Sequence, residues 1–442
     1  MILLDRFARL RRDLRSGRMH TARAEILPFL KGKLSKADVP AAVIEPASES
    51  ELTTIFQFAT EKKMRVAVAS GLQPVEVRQL ADQLLVLTTR LAGSPVISSR
   101  RGAVRVETGL PVESLAIDLT RTSMRWLPLW PVAPHLSIGQ MVATGWEGLR
   151  AWSCGSTLPF VRAVEWVAYD GNAYRSSTFR ADGSADVRGF LFGSRGALGV
   201  ITRVEMDVQV VPRERTAALF ELPGATHAME MLAALRAFQP LPESVAYYGE
   251  AATRLLREGN DRVFSNHAVV LLAAEWNAAV ETWPDEWSPW AKPLHDEPAI
   301  NALWQDLFRF PRTAVRLYPV RSEARVKLPA EALPALEEAA GEFGREFNMP
   351  VILWGTVEAG HFHLWVLQPD DQQRTTRQAE EVLKKMFEIV AELGGRRARG
   401  AVFPFDTASA SLPDSFGDAL WTELVHRCDP SGLHVPLTGA NP

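Results

Sequence analysis

The sequence is poor in cysteine, in net charge and in long apolar runs, and each shortage excludes a class of protein. Its 442 residues include only two cysteines, Cys154 and Cys428, which excludes a disulfide framework or a cysteine metal cluster and favours a reducing compartment. The formal net charge of -3 argues against a general nucleic-acid binder. No apolar run reaches the roughly 18 residues that a membrane-spanning helix needs. No G-x-G-x-x-G follows a strand, which argues against a dinucleotide site of the Rossmann type.

What is present is an ordinary globular composition spread over a long chain. Apolar residues make up 47% and charged residues 23%, so a disordered or fibrous protein is excluded. A length of 442 residues predicts two or three domains at about 150 residues each. The one unusual count is 13 tryptophans against 5 tyrosines.

The first residues predict an amphipathic helix that is rich in arginine. Leu3, Phe7, Leu10 and Leu14 fall on one face at helical spacing, and arginines crowd the remainder. Two interpretations stay open: a docking helix for a partner subunit or an anionic membrane surface, and a helix that packs on its own domain.

The rest of the chain predicts an α+β protein in two parts, which differ in the length of their helices and strands. From Pro40 to Pro212 short strands alternate with helices and glycine turns, beginning with a strand, a helix and a second strand. After Pro212 longer helices alternate with apolar strands, and the order β, α, β, β, α from Ala324 to Leu393 is like part of a ferredoxin-like sheet with helices on one face. The stretch from Trp283 to Trp290 is interpreted as a loop or surface insertion, and the chain contains no internal sequence repeat.

The segment Ser137-Ile138-Gly139-Gln140 is the most informative for function. Small residues here and at the following Ala143-Thr144-Gly145 and Gly148 allow backbone N–H groups to approach an anion such as a pyrophosphate. A glycine-rich turn without a ligand is the alternative for this segment alone.

The order of several such segments is more specific. Gly109 closes a strand, the S-I-G-Q turn follows, then Cys154-Gly155, a strand ending in D-G, and Gly193-Ser194-Arg195-Gly196-Ala197-Leu198-Gly199-Val200-Ile201-Thr202. This succession resembles the FAD-linked oxidases of the vanillyl-alcohol-oxidase (PCMH) type. Cys428-Asp429-Pro430-Ser431-Gly432-Leu433 resembles the D-P-x-G-I/L of the D-lactate dehydrogenase and glycolate oxidase flavoprotein branch.

The resemblance implies a two-lobe PCMH-type FAD-binding domain followed by a ferredoxin-like α+β cap, or substrate, domain. The expected division is an arginine-rich helical segment at 1–38, the FAD-binding domain at 39–213, the cap at 214–410 and a C-terminal segment at 411–442 that returns toward the FAD domain. The cofactor implied is non-covalent FAD, because no histidine or cysteine stands at a trusted linkage position. The positions implied to bind it are Ser70, Gly71, Pro131, Ser137, Ile138, Gly139, Gln140, Thr144, Gly148, Gly155, Gly199, Val200 and Ile201.

The chain departs from the family pattern at both phosphate loops. The family reads R-G-G-G-T after the second strand, whereas this chain reads Ala69-Ser70-Gly71-Leu72-Gln73 with one glycine. Gln140 replaces the second glycine of T-I-G-G. A bulky Leu72 and a long Gln140 stand where close backbone approach is expected.

The catalytic half departs further. The family motif G-H-x-G-D-G-N-x-H aligns with residues 355–363, where His363 is retained but the first histidine, the aspartate and the asparagine are not, and the later E-H-G falls on Gly400-Ala401-Val402. Oxidation of a 2-hydroxy acid needs a base for the hydroxyl proton, and His361 and His363 alternate on a strand beside Glu358. These three are the candidate catalytic residues, with no metal assigned, and a pair of structural histidines is the alternative. Arg396 and Arg399 are the candidate ligands of a substrate carboxylate, although a solvated helix end fits them equally.

Two functions follow from the resemblance. The first is an FAD-dependent oxidoreductase acting on a small 2-hydroxy acid or related alcohol, with electrons leaving to an electron-transfer protein or quinone. The second is a catalytically degenerate homologue that serves as a structural or electron-relay subunit. The expected setting is the cytoplasm, with peripheral contact at the inner membrane surface through the N-terminal helix, a partner subunit and no nucleic acid.

Overall fold

The protein forms two lobes and a C-terminal segment that returns to the first lobe. The computed structural model describes residues 6–31, 34–72, 74–77, 80–98, 100–123, 125–127, 136–146, 157–178, 185–259, 265, 268–318, 320–356, 361–370, 372–397 and 415–435. Within these residues, no helix is long and apolar enough to cross a membrane.

The first lobe begins with a small sheet in which three strands are parallel. Its strands, in spatial order, are β1 (Arg18–His20), β3 (Ala42–Glu45), β6 (Leu84–Leu87) and β4 (Val66–Ala69), and a separate parallel pair is formed by β2 (Leu30–Lys31) and β5 (Val75–Glu76). Short helices α1 (Ala8–Asp13) and α2 (Arg23–Ile26) precede β3. Helix α3 (Glu49–Lys62) begins at Ser48, whose hydroxyl accepts a hydrogen bond from the Glu51 N–H, and it buries Leu52, Ile55 and Phe56 against the sheet.

The arginine-rich N-terminal helix packs on its own lobe. Phe7, Leu10 and Leu14 are buried in the same core as α3. On the outer side, Arg9 lies 3.3 Å from the Glu61 carboxylate at the end of α3. Among the described residues 6–14 the apolar face is therefore used within the lobe, which is the second of the two interpretations of this helix; Leu3, the fourth predicted face residue, lies outside the described residues.

The first lobe continues into a five-stranded antiparallel sheet. Its strands, in spatial order, are β11 (Ala173–Ser177), β10 (Val161–Val167), β12 (Val200–Asp207), β8 (Ala103–Glu107) and β7 (Val96–Ser98). Helices α4 (Val112–Ser123), α5 (Ile138–Ala143) and α6 (Arg188–Leu191) accompany it, and β9 (Arg125–Trp126) pairs with β13 (Gln209–Val210). Leu115, Met141 and Val204 lie together in its core.

The second lobe, the cap, is one eight-stranded sheet in which every observed pairing is antiparallel. The spatial order is β17-β14-β16-β15-β19-β20-β18-β21. The strands are β14 (Thr216–Leu222), β15 (Ser244–Tyr248), β16 (Val270–Trp276), β17 (Ala291–Leu294), β18 (Val320–Lys327), β19 (Val351–Thr356), β20 (His361–Gln368) and β21 (Arg396–Arg397). The helices are α7 (Ala225–Ala237), α8 (Glu250–Gly259), α9 (Glu297–Leu317), α10 (Leu333–Glu346) and α11 (Gln373–Glu392).

Between Ala324 and Leu393 both helices, α10 and α11, pack on one face of the sheet, as expected, whereas over the whole cap helices cover both faces. Helices α7, α10 and α11 bury Leu232, Leu336 and Val382 against one face, which we call the three-helix face. Helices α8 and α9 bury Leu255 and Leu307 against the other, the two-helix face. The mixed α+β class is confirmed.

The cap consists of two halves with the same topology, although their sequences show no repeat. Strands β14, β15, β16 and β17 with α7 match β18, β19, β20 and β21 with α10, and the halves join where β15 pairs with β19. In the second half, α11 connects the last two strands; in the first half, the tryptophan-rich stretch takes that place. Trp287 is buried in the core of the three-helix face, with Trp283 and Trp290 packed against it. This stretch is therefore part of the core and not a surface insertion.

The C-terminal segment completes the first lobe. Helix α12 (Ser415–Cys428) buries Trp421 in the core of the antiparallel sheet. The chain then turns at Asp429, whose carboxylate accepts the N–H groups of Leu433 at 2.7 Å and His434 at 2.9 Å. Val66 in β4 donates to the Leu433 carbonyl at 2.6 Å and accepts from Val435 at 2.8 Å. The D-P-x-G-L motif thus forms the turn that returns the chain to β4.

The buried His434 predicts acid sensitivity of this returning segment. The pKa of His434 is lowered to about 4: burial is the largest cause, Asp429 opposes it, and Arg65 adds to the lowering. Because the folded pKa lies below the unfolded value of about 6.5, the stabilisation is complete above pH 6.5 and is lost as the pH falls toward 4. Since the ring is partly solvated, we expect less than about 1.4 kcal/mol per pH unit.

The measurement is the thermal midpoint of the wild type and His434→Gln between pH 7.5 and 4.5. As the pH falls, the thermal midpoint of the wild type should decrease more than that of His434→Gln. A pH-independent difference would contradict the role of this ring.

Candidate functional site

The two loops predicted to bind phosphate lie against each other, although they are 70 residues apart in sequence. Ser70 follows β4 and Gln140 lies in α5, and the Ser70 hydroxyl donates to the Gln140 Oε1 at 3.2 Å. Gly71 has φ +76°, and a Cβ at this position would lie 2.9 Å from Thr89 Cγ2. Glycine is therefore required at 71 by both conformation and space.

The amides of the S-I-G-Q segment are largely engaged within the lobe. Ser137 caps α5, and its hydroxyl accepts the Gln140 N–H at 3.0 Å. The Ile138 N–H donates to the Leu110 carbonyl at 3.0 Å, and the Gly139 N–H to the Thr108 carbonyl at 2.8 Å. The segment is the first turn of a helix and not a loop of free amides. Its role in cofactor binding stays a prediction, and it would depend on the Gln140 side chain and on the shape of the turn.

The predicted glycine turn at residues 193–199 is hydrogen-bonded to α5. The Gly193 N–H donates to the Val142 carbonyl and the Arg195 N–H to the Ala143 carbonyl, both at 2.7 Å. Gly199 has φ +122°, and a Cβ there would lie 2.3 Å from the Val167 carbonyl oxygen. The turn therefore packs directly on β10.

Three residues that were predicted to bind the cofactor use their side chains for packing or hydrogen bonding within the first lobe. Val200 and Ile201 are buried in the two cores on either side of β12, so a cofactor contact from them would come from the backbone. Thr144 donates from its hydroxyl to the Gln140 carbonyl at 2.8 Å at the end of α5. Their binding roles stay predictions.

Several predicted residues fall outside the described part of the chain. For His361 the backbone is described, as the first residue of β20, and its side chain is not. The residues that lie outside entirely are Pro131, Gly148, Cys154, Gly155, Glu358 and Arg399. Among the described residues, no group of three or more His, Cys, Asp or Glu side chains could hold a metal ion.

His363 lies on the two-helix face of the cap sheet, beyond the part that α9 covers. Its ring stacks on Trp354 with centroids 4.2 Å apart and planes 11° from parallel, and it is half-buried. Directly opposite His363 on the neighbouring strand is Arg325. Residues paired across antiparallel strands project from the same face, so His363 and Arg325 are neighbours on this face.

Arg396, the predicted carboxylate ligand, lies at the edge of the same face. It pairs with Lys327 in the register of β21 and β18 and is exposed.

Sequence reasoning missed Arg195, the residue inside the glycine turn. Its backbone is left-handed at φ +47°, and its Nε and Nη1 atoms are buried without a hydrogen-bond partner in the described residues. Burial lowers the pKa of Arg195 to about 10, with a further lowering by Arg325 and an opposing effect of Glu323. A charged residue between two glycines of an otherwise apolar motif was the signal available in the sequence.

The family model for an FAD binding domain matches residues 40–177 of this chain. The chain is 27% identical over 199 residues to the mitochondrial cytochrome D-lactate dehydrogenase of Arabidopsis thaliana, covering 44% of this chain and 35% of that protein. It is 24% identical over 222 residues to the D-lactate dehydrogenase of Archaeoglobus fulgidus, covering 48% of each. The chain thus spans about a third to a half of the length of these curated relatives.

Two solved structures are similar over nearly the whole chain. A 4-ethylphenol oxidase from Gulosibacter chungangensis, in complex with isoeugenol, has a TM-score of 0.69 at 14% identity and covers 94% of this chain and 92% of its own. An alkyldihydroxyacetonephosphate synthase has a TM-score of 0.68 at 17% identity and covers 94% and 82%. These likenesses confirm the two-lobe fold.

The residues at the site fit a bound FAD. Both predicted phosphate loops meet within side-chain contact, as one cofactor spanning them requires. They lie in the segment that the FAD binding model matches, and the glycine turn at 193–199 lies against α5 beside them. Ser70, Gly71 and Gln140 are the described residues that would hold the cofactor, and their role stays a prediction.

Replacing Gly139 should test the packing of this turn. A Cβ at 139 would lie 2.8 Å from the Cβ of Thr108 and 3.2 Å from its carbonyl oxygen. Because Thr108 is buried and its hydroxyl donates to the Ile201 carbonyl, it has little room to shift. We expect Gly139→Ala to lower the free energy of unfolding by about 1–3 kcal/mol, measured by chemical denaturation.

The matched control is Gly189→Ala in α6, where a Cβ would have its nearest neighbour at 3.9 Å. It should be neutral or slightly stabilising. Equal stability of both variants would show that Gly139 is not required for packing.

Proposed function

Because this chain belongs to the FAD-linked oxidase superfamily and has FAD as its cofactor, we propose that it oxidises a small 2-hydroxy acid or a related alcohol. The observation that carries the proposal is the position of His363. It lies on the two-helix face of the cap sheet, stacked on Trp354 and opposite Arg325. A titratable side chain thus lies next to a cation that can bind the acid group of a substrate.

FAD, held by Ser70, Gly71 and Gln140, would supply the acceptor for the hydride that leaves the carbon bearing the hydroxyl group. The chain supplies the base: His363 receives the hydroxyl proton as the hydride leaves, since an imidazole has a pKa near neutrality. The stacked Trp354 holds the ring in one plane. Arg325, opposite His363, binds the acid group of the substrate.

A visible absorption spectrum of the purified chain tests the proposal. The flavin bands should be present and should bleach under anaerobic conditions when D-lactate or glycolate is added. A flavin-loaded chain that no 2-hydroxy acid bleaches would contradict the enzymatic proposal.

His363→Asn should slow the reduction of the flavin by about 100-fold at saturating substrate, because the proton acceptor is removed. The flavin content should be unchanged, since the side chain lies in the cap. The measurement is the rate of bleaching by stopped flow, with His295→Asn, an exposed cap histidine, as the control. Equal slowing by both variants, or none by either, would show that His363 does not act in the reaction.

A second candidate function is a catalytically degenerate subunit that has a structural or electron-relay role. Thr356 at the position of a family histidine supports it, and so does the first phosphate loop, which has one glycine, Gly71, where the family has three. Failure of every hydroxy acid to reduce a bound flavin would favour this candidate.

We also propose that electrons leave to an electron-transfer protein or a quinone and that the protein acts in the cytoplasm, with peripheral contact at the inner membrane surface. What supports this is the absence of a G-x-G-x-x-G after a strand and the arginine side of the N-terminal helix. Since Phe7, Leu10 and Leu14 are buried in the lobe, such contact would be electrostatic.

A further inference from the structure

Four residues form a line across the small sheet of the first lobe, at the carboxyl ends of its parallel strands. Glu45 is the last residue of β3, Thr89 follows β6, and Gly71 follows β4. His20 lies at the end of β1, where it pairs with Val43, two residues before Glu45. In open sheets of parallel strands, ligands bind outside this edge. The line therefore lies at the edge that carries the first predicted phosphate loop.

Glu45 is the buried centre of this line. The residue is 8% exposed, and its two carboxylate oxygens have partners from two different strands or strand ends. The Thr89 hydroxyl donates to Glu45 Oε1 at 2.7 Å, and His20 Nε2 lies 3.1 Å from Glu45 Oε2. The His20 ring in turn packs on Phe29, with ring centroids 4.9 Å apart. Because a buried carboxylate is stable only with such partners, Glu45 holds both neighbours in place.

Thr89 transmits this contact to the loop. Its hydroxyl and its methyl group share one Cβ, so the hydrogen bond to Glu45 also fixes the direction of the methyl group. A Cβ at Gly71 would lie 2.9 Å from that methyl carbon and 3.0 Å from Leu87 Cβ, so the Gly71 backbone packs directly on these two side chains. Ser70, the residue before Gly71, is the one that donates to the second phosphate loop.

We propose that His20, Glu45 and Thr89 are positioning residues that hold the first phosphate loop in the shape that binds FAD. They act on the cofactor through Gly71 and Ser70 and not by touching it. The N-terminal strand β1 thus takes part in setting the affinity for FAD. This inference deepens the proposed function, because it rests on the first loop as a holder of FAD, and it does not depend on the reaction.

The Glu45 carboxylate acts in this line as a hydrogen-bond acceptor. An exposed acid at this edge would repel the phosphates of FAD. Glu45 is buried instead, with its oxygens engaged by Thr89 and His20. An amide of the same shape can accept the Thr89 hydroxyl and donate to a ring nitrogen, so glutamine should position Thr89 equally well.

The test compares Glu45→Leu with Glu45→Gln in the full chain. The measurement is the dissociation constant of FAD, from the change in flavin fluorescence as protein is added, together with the thermal midpoint without FAD. Leucine leaves the Thr89 hydroxyl without its acceptor, so FAD should bind about 10-fold more weakly. With glutamine the affinity should stay within about threefold of the wild type. Wild-type affinity in Glu45→Leu, or an equal loss in both variants, would overturn the proposal.

Glu51→Leu is the matched control for a loss of stability. Glu51 is also a buried carboxylate, 5% exposed, and it accepts the N–H groups of Ser16 at 2.7 Å, Gly17 at 3.0 Å and Ala47 at 2.7 Å. This variant should lower the thermal midpoint and leave the FAD affinity within about twofold. A loss of affinity as large as that of Glu45→Leu would mean that the stability of the N-terminal segment decides binding, and it would overturn the proposal.

Two further variants test the line on either side of Glu45. Thr89→Val keeps the branched shape and the methyl group but cannot donate to Glu45, so FAD should bind about 10-fold more weakly. His20→Phe keeps a ring beside Phe29 without a nitrogen for Glu45. The affinity should then fall about threefold, because the Thr89 hydrogen bond remains. Wild-type affinity in either variant would overturn the proposal.

Tyr174→Phe is the control for removal of a hydroxyl group. It deletes a donor to the Asp170 carboxylate at 2.9 Å in the same lobe, and the FAD affinity should not change. A loss equal to that of Thr89→Val would count against a specific line and overturn the proposal.

The binding measurement separates this inference from the proposed reaction. If the affinities follow the expected order in a chain that no 2-hydroxy acid reduces, the reaction is refuted and the positioning of the loop stands. If a 2-hydroxy acid bleaches the flavin and Glu45→Leu binds FAD as the wild type does, the reaction stands and the inference is overturned.

Discussion

Two backbone hydrogen bonds, from Gly193 and Arg195 to the last carbonyls of helix α5, connect the main parts of the site. They join the glycine turn to the helix that carries Gln140, and Gln140 contacts Ser70 in the other loop. Because Gly199 packs on β10 with no room for a side chain, the turn is fixed on its second side as well. The position of the glycine turn beside α5 and β10 follows from these main-chain contacts.

Most of the fold could be predicted from sequence because its signals are local. Alternating and helical apolar patterns located the strand pair β19–β20 and the helices α3 and α11. The matching halves of the cap could not be predicted, since the same topology is built there from different residues. The tryptophan-rich stretch is the clearest case: it carries no helical period, yet Trp287 is buried where the other half has a helix.

The candidate site was predicted in part. The ordered glycine motifs located both phosphate loops, and strand alternation placed His363 on one face of the cap. Two features depend on contacts between distant segments and could not be predicted. The amides of Ile138 and Gly139 are engaged by carbonyls of the chain before α4, and the Arg195 N–H donates to the Ala143 carbonyl in α5. Both are tertiary contacts that no local pattern encodes.

In the first half of the cap, aromatic rings occupy the place that helix α11 takes in the second half. This difference has a spectroscopic consequence. Trp276 and Trp283 have centroids 5.2 Å apart, and Trp283 and Trp287 5.9 Å, so excitation passes readily among these indoles. Their emission arises in the cap and not beside the flavin loops. Loosening of the cap should therefore change the share of the indole emission that this cluster contributes, while Trp146, Trp166 and Trp421 emit from the first lobe.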